Sequence, residues 1–326
     1  TSVESLAVIA KETGGDYTLV TGVVPNEVTL TADYTTGGYI TVEANCTGYY
    51  SLDEGDANFD GFHGDDYSGV TWPAAPSADP LLPTDLSVTV GVAAATNKLT
   101  ITAAPSNSSI EIGEQYMRIF DNPTGGLDAS ISSDGIIDLT AGAENSMEEV
   151  KDLIHDDANW NCTRAGSDVE SKNLLKGIYK GEAGQEIFAA TSMAAISNLK
   201  TVSLKIANNN VPISGKATGD DSSVKWLLNN AISRGKADIT LDLTMTAEDE
   251  TYYDLYHAGT TIPLIRLDFG SHGSIALTNG TITSFSRPLT PGGEIVDTMS
   301  IKFRGAGNYK NFSAYAISSS ISLNPS

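Results

Sequence analysis

Between Asp238 and Thr246 the chain alternates without a fault. Ile239, Leu241, Leu243 and Met245 are apolar, and Asp238, Thr240, Asp242 and Thr244 stand between them. A period of two predicts a strand with one dry and one wet face. Val202, Leu204 and Ile206 repeat the pattern against Ser203 and Lys205, as do Ile265, Leu267 and Phe269, and then Met299, Ile301 and Phe303. In "SIALTNGTITSF" the pair Asn279-Gly280 separates two β-prone halves and predicts a tight type I′ hairpin. "FSAYAISSSISL" supplies a last strand.

Over 247–259 the period changes. Thr246 stands where it can cap a first turn, and Glu248, Asp249 and Glu250 suit the positive end of a helix dipole. Tyr252, Leu255 and Tyr256 share a face, and Gly259 marks the stop. The expectation is one short helix covering a sheet. Upstream, "SLAVIAKETGGDYTLVTGVV" predicts two strands about a Gly-Gly turn within 1–32. The segment 33–85, rich in Gly, Pro, Asp and Tyr and closing on "TWPAAPSADPLLPTD", is expected as a long loop or arm. Residues 86–184 predict an inserted α+β module that faces outward, with strands at "LSVTVGV", "KLTITAA", "QYMRIF" and "GIIDLTA". Ser146 with Glu149 forms a capping box for a helix carrying Val150, Leu153 and Ile154 on one face. Ser167 with Glu170 forms a second, opening a helix through Leu174, Leu175 and Ile178. The main β domain then takes 185–326. The expected class is mainly β, a sandwich or barrel with one short packed helix plus the inserted module.

Composition narrows the function. At 326 residues the chain fits two average domains or one β-rich core with insertions. Its 19 basic and 41 acidic residues give a net charge of −22, which repels phosphate and argues against a protein that grips nucleic acid. The same charge is compatible with a surface that DNA merely passes, and its plainest service is solubility. No apolar run approaches the roughly 18 residues of a membrane span, and no leader pattern opens the chain, so a soluble protein made in a cytoplasm is expected. Cys46 and Cys162, each inside an Asn-Cys-Thr triplet, suit ordinary half-buried thiols better than a disulfide scaffold or a metal site. The triplets match the glycosylation pattern, which matters only for a secreted chain.

Candidate chemistry is sparse. In "DANFDGFHGDD", Asp56, Asn58 and Asp60 hold the first, third and fifth positions of a calcium loop, with Gly61 at the turn. The twelfth position is Tyr67 rather than a bidentate Glu, so a calcium-ordered loop competes with a plain acidic one. His63, His155, His257 and His272 are scattered, with no zinc spacing, and His155 suits a helix C-terminus. No nucleophile elbow, phosphate loop or dinucleotide fingerprint occurs, and the chain is not expected to be an enzyme.

The stretches "ADITLDLTMTAEDETYYDLYHAGTTIPLIRLDF", "GGEIVDTMSIKFRG" and the opening "LAVIAKETGG" resemble the tail tube proteins of long-tailed bacteriophages and related archaeal viruses. The segment from "NKLTITAAPSNSSIEI" to "NSMEEVKDLIHD" is similar to a strand-rich module of phage tail and sheath proteins. The resemblance covers less than half of the chain. It implies hexameric rings that stack into a tube, with strands of neighbouring subunits closing an inner barrel around passing DNA. Asp238, Thr240, Asp242 and Thr244 are then lumen-facing candidates, and Leu241, Leu243, Tyr252 and Tyr256 are core and assembly residues. Implied partners are identical subunits, other tail proteins and viral DNA that passes without specific binding, with no membrane insertion. The implied location is the virion tail, assembled in host cytoplasm. A wet face that simply meets outside solvent stays open as an alternative. So do a secreted or cell-surface β-sandwich adhesin or glycan-binding protein, and an enzyme with unrecognised carboxylate catalysis.

Overall fold

The computed structural model describes residues 6–11, 17–47, 50–53, 80–93, 98–103, 108–120, 127, 131, 135–140, 145–156, 160–180, 184–214, 229–233, 236–288, 292–304 and 312–316. The chain is mainly β, and the described residues form antiparallel sheets and two α-helices. In order come β1 (Leu6–Lys11), β2 (Tyr17–Asp33), β3 (Thr41–Thr47), β4 (Tyr50–Asp53), β5 (Ser87–Ala93), β6 (Lys98–Ala103), β7 (Ser109–Ile112) and β8 (Tyr116–Phe120). There follow β9 (Ile136–Asp138), α1 (Met147–His155), β10 (Trp160–Ala165), β11 (Gly177–Lys180), β12 (Gln185–Phe188), β13 (Thr191–Ala195) and β14 (Leu199–Ala207). The rest are β15 (Val211–Ser214), β16 (Asn229–Ser233), β17 (Asp238–Thr246), α2 (Thr251–Ala258), β18 (Thr261–Asp268), β19 (Gly273–Ser286), β20 (Val296–Phe303) and β21 (Phe312–Ala316). Two compact units form: Thr1–Thr31 with Ile40–Pro80 and Ser203–Asp238, and Ala32–Tyr39 with Leu81–Val202 and Ile239–Ser326.

The first unit is organised by β2. Its N-terminal part lies between β1, from Leu6↔Val23 to Lys11↔Tyr17, and β4, from Thr18↔Asp53 to Thr21↔Tyr50. Beyond Val24 it pairs with β3, out to Thr31↔Thr41. Pro25 has no N–H to give a ladder, and the register slips between Pro25 and Glu27. Asparagines satisfy the groups freed there: Asn208 Nδ2 donates to the Pro25 carbonyl (2.9 Å), and the Asn210 N–H donates to Asn26 Oδ1 (2.8 Å). Two strands, β3 and β4, thus lie inside the segment 33–85 that was expected as loop or arm. β3 does alternate, Val42, Ala44 and Cys46 against Thr41, Glu43 and Asn45. That short period sits in a stretch rich in Gly, Pro, Asp and Tyr, and the strand is exposed from Thr41 to Cys46.

In the second unit one sheet runs β17-β20-β19-β18-β5-β13, with β21 beside the first half of β19. Asn279-Gly280 does not make the expected hairpin, for β19 runs straight through it. Asn279 takes the positive φ of 64° inside the strand, and its Nδ2 donates to the Arg304 carbonyl (2.9 Å). Gly280 pairs with both Ile262 and Phe303, at the point where β19 takes up β20. A Cβ at Gly280 would lie 2.7 Å from the Phe303 ring, so the close approach needs glycine. β18 is buried without a break from Ile262 to Leu267, which overrides the half-buried alternation expected for Ile265, Leu267 and Phe269.

The inserted module folds round its own core. Sheets β10-β6-β12 and β11-β7-β8-β9 enclose Leu99, Ile101, Ile110, Ile119, Val150 and Trp160, among others. The helix α1 opens on the expected capping box, with Ser146 Oγ accepting from the Glu149 N–H (3.2 Å) and Glu149 Oε2 from the Ser146 N–H (3.0 Å). The second expected helix is absent. Ser171–Asn173 is a single 3-10 turn and Gly177–Lys180 is strand β11. Leu174 enters the module core and Leu175 a separate apolar cluster, so the two leucines point to opposite sides and no helical face forms. β5, expected at the start of the module, pairs with β18 and β13 in the main sheet, whereas β12 belongs to the module. The module therefore occupies the chain between β5 and β13 rather than 86–184.

Candidate functional site

β17 pairs with β20 in unbroken register, Thr240↔Lys302, Asp242↔Ser300 and Thr244↔Thr298. β20 pairs onward to β19, Lys302↔Thr281, Ser300↔Ser284 and Thr298↔Ser286. Residues directly opposite in an antiparallel pair share a face, so these nine side chains form a polar ladder three strands wide. Asp242, Thr298, Ser284 and Ser286 are exposed and Thr240, Thr244, Ser300, Lys302 and Thr281 half-buried. Asp238, half-buried, occupies the first position of β17. The opposite face is dry: Ile239, Leu241, Leu243, Met299, Ile301 and Phe303 are buried. Sequence reasoning found the ladder on β17 and missed its continuation. Thr298, Ser300 and Lys302 alternate with Met299, Ile301 and Phe303, and that signal was available.

The dry face ends under α2. Tyr256 stacks on Phe285 of β19 (6.1 Å between centroids) and Tyr253 meets the same ring edge-on (5.8 Å). Tyr252 and Tyr256 are half-buried, and burial pushes the Tyr252 hydroxyl up to about 12. α2 begins at Thr251 rather than near 247. Thr246 remains in β17, where its hydroxyl bonds Glu294 (2.5 Å), and Asp249 Oδ1 receives the Thr251 N–H (2.9 Å). Gly259 takes the expected stop position, with φ 61°.

Arg287, just past β19, fastens that helix. Its guanidinium holds buried Asp297 with two bonds, Nε to Oδ1 (2.6 Å) and Nη2 to Oδ2 (2.8 Å). It also donates to Glu250 Oε1 (2.7 Å) and to the Asp249 carbonyl (2.7 Å) at the helix start. The Asp297 bonds, foremost, hold the guanidinium above its ordinary range. Alternation alone marks Asp297 as an inward position, and its charge conceals this from a hydropathy reading.

A second ionic cluster is buried deeper. Glu114 sits in the β7–β8 turn, where the Gly113 N–H donates to the Tyr116 carbonyl (2.9 Å). A Cβ on Gly113 would fall 2.4 Å from the Tyr116 ring, so only glycine permits this turn. Arg266 Nε on β18 donates to Glu114 Oε1 (2.5 Å), as does Ser274 Oγ (3.1 Å). Lys176, fully buried, donates Nζ to the Lys172 carbonyl (2.7 Å) and the Glu114 carbonyl (3.3 Å), and stands 3.6 Å from Glu114 Oε2. The Arg266 Nη groups reach Asn173 Oδ1 (3.3 Å) and the Lys172 carbonyl (2.6 Å). Burial, opposed by Glu114, pulls the Lys176 ammonium down from 10.5 to about 8.

A depressed lysine disfavours the folded state while it is charged in both states. That cost is full below about 8 and is relieved as pH rises towards 10.5, because only the unfolded chain still holds the proton. Stability should therefore climb between about pH 8 and pH 10 on account of Lys176. Lys176→Met should remove that rise, which melting curves of the two chains across the interval will measure.

The other sequence-derived residues fall as follows. Asp56, Asn58 and Asp60, the calcium candidates, lie outside the described residues, as does His63. Among the described residues no group of three or more His, Cys, Asp or Glu is placed to hold a metal ion. His155 ends α1, with Nδ1 3.1 Å from Asn161 Oδ1. Both cysteines are free. Cys46 is exposed, and Cys162 is buried with its thiol pushed up to about 12 by burial. No described helix is long and apolar enough to cross a membrane.

No family model matches the chain, and no curated protein matches it. Among solved structures it is similar to a chain from the virion of a native gene transfer agent (GTA) particle. Identity is 15%, the match covers 44% of this chain and 97% of that one, and the TM-score is 0.29. It is also similar to a chain from the tail of an empty GTA particle of C6 symmetry, at 15% identity, with 36% and 86% covered and a TM-score of 0.27.

Proposed function

We propose that this chain is a virion structural protein, a subunit of stacked, hexameric rings that form a viral tail tube through which DNA passes. The observation that carries the reading is the polar ladder of β17, β20 and β19 backed by a fully dry face, a wall suited to a wet bore. β3 adds support. It pairs with β2 alone among the described strands and is exposed from Thr41 to Cys46, without the lysine or proline that commonly blunts a free edge. A neighbouring copy can satisfy such an edge, and closure of a ring removes it. On this reading the chain is structural and not catalytic, and its partners are identical subunits, other tail proteins and unbound DNA in transit.

Negative-stain microscopy of the purified chain tests the assignment, with rings or filaments as the expected result. A monodisperse monomer under virion-like conditions overturns it. The bore assignment has its own test. Asp238 and Asp242 changed together to Lys should leave ring formation intact, since neither is fully buried. Lys302 already stands on the same face, and the added cations should turn a mostly acidic or neutral wall into one that holds phosphate. DNA delivery should fall by about tenfold or more, with the loss shrinking at high salt. Unchanged delivery by normally assembled particles would place this face outside the bore.

A further inference from the structure

The inserted module meets the main sheet through two neighbouring clusters. One is apolar, with Leu175 and Ala190 against Leu264 and Ala276. The other is the ionic group of Glu114, Lys176 and Arg266. Glu114 and Lys176 come from the module and Arg266 from the middle of β18, and all three are buried. The charge does not balance, for one carboxylate lies between an ammonium and a guanidinium. Lys172, the next charged side chain, is turned out to a salt bridge with Glu170 (3.1 Å) and contributes only its carbonyl.

We propose that Glu114, Lys176 and Arg266 form a charge latch that fixes the module on the sheet and is the place where the two part first. Taking three charges out of water is costly, and their mutual attraction returns little beyond that cost. The geometry is nonetheless demanding. Arg266 must meet a carboxylate, a side-chain amide and a carbonyl at once, which an apolar patch does not require. The latch therefore specifies position strongly and contributes little net stability. Once water enters, each ion regains its hydration, whereas the module core and the β17–β20 face gain nothing from opening. The weak seam lies between two strong cores. This inference does not rest on the tube reading.

Hydrogen exchange read by mass spectrometry on the full chain tests the latch. Glu114→Gln leaves two buried cations with no anion. Exchange in 172–176 and in β18 should rise about a hundredfold or more, while β8 and β17 keep their protection. Lys176→Met removes the surplus cation and should hold or raise protection at the seam. Combined with Glu114→Gln, it should restore much of what the single change loses, and this rescue applies also if Glu114→Gln alone fails to fold. Loss of protection at the seam in Lys176→Met, or no rescue in the double variant, would show these side chains to be ordinary packing and overturn the proposal. So would an even loss through module and sheet in a folded Glu114→Gln chain.

Discussion

Leu243→Asp is expected to yield no native protein. Leu243 is fully buried, opposite Met299 on β20, and Met299 is in turn opposite Phe285 on β19. Removing the leucine forfeits about 3 kcal/mol of apolar burial, and an unpaired carboxylate at such a site costs several more. Together these consume most of the roughly 5–15 kcal/mol that holds a domain folded. One residue on, Thr244 faces the ladder, and Thr244→Asp should cost no more than about 1 kcal/mol. The pair isolates orientation from strand propensity, because both substitutions place the same residue in the same strand. Circular dichroism and melting of the two chains suffice. A Leu243→Asp chain that melts near the parent would mean that the faces of β17 are reversed.

Arg287→Met should rank next, with a loss of about 3–5 kcal/mol. The guanidinium holds buried Asp297 through two bonds and the start of α2 through two more. Its removal strands a buried carboxylate and frees the helix from Glu250 and Asp249 at once. Arg287→Lys should recover only part of the loss, because an ammonium cannot reproduce a fork that grips four acceptors. Arg287→Met with Asp297→Asn should recover more than either single change allows, and the coupling follows from a double-mutant cycle of melting. If the four chains show additive losses, Arg287 and Asp297 are not a unit and α2 is held by its tyrosines alone.

What the sequence made legible follows from how each element is buried. β17 and β20 each show one face to solvent, so their alternation survives in the residue pattern and their inward and outward positions could be anticipated. β18 is covered on both sides, and the same logic misread it as half-buried. β3 is covered on neither, and its short alternation of Val42, Ala44 and Cys46 passed for loop within a segment rich in turn-forming residues. The helix assigned at Ser167–Glu170 failed because Leu174 and Leu175 serve different cores, a division that local sequence does not record. The least legible features were the ionic ones. Glu114, Lys176, Arg266 and Asp297 read as surface residues by type, and only tertiary structure takes them out of water. Candidate lumen residues were reachable by period-two reasoning, but Lys302 shows that the face is not uniformly acidic.

The positive φ of Asn279 inside β19 marks a pair with a chemical consequence. An asparagine followed by glycine is the dipeptide most prone to lose its amide, through attack of the glycine nitrogen on the side-chain carbonyl. In the folded chain Gly280 is clamped between ladders to Ile262 and Phe303, and the Asn279 amide is tied to the Arg304 carbonyl. The cyclisation geometry is thereby denied while the sheet is intact and granted once it opens. Isoaspartate at position 279 is thus a slow clock that runs only in molecules whose sheet has come apart, and its amount in an aged sample records how long this strand has stood open.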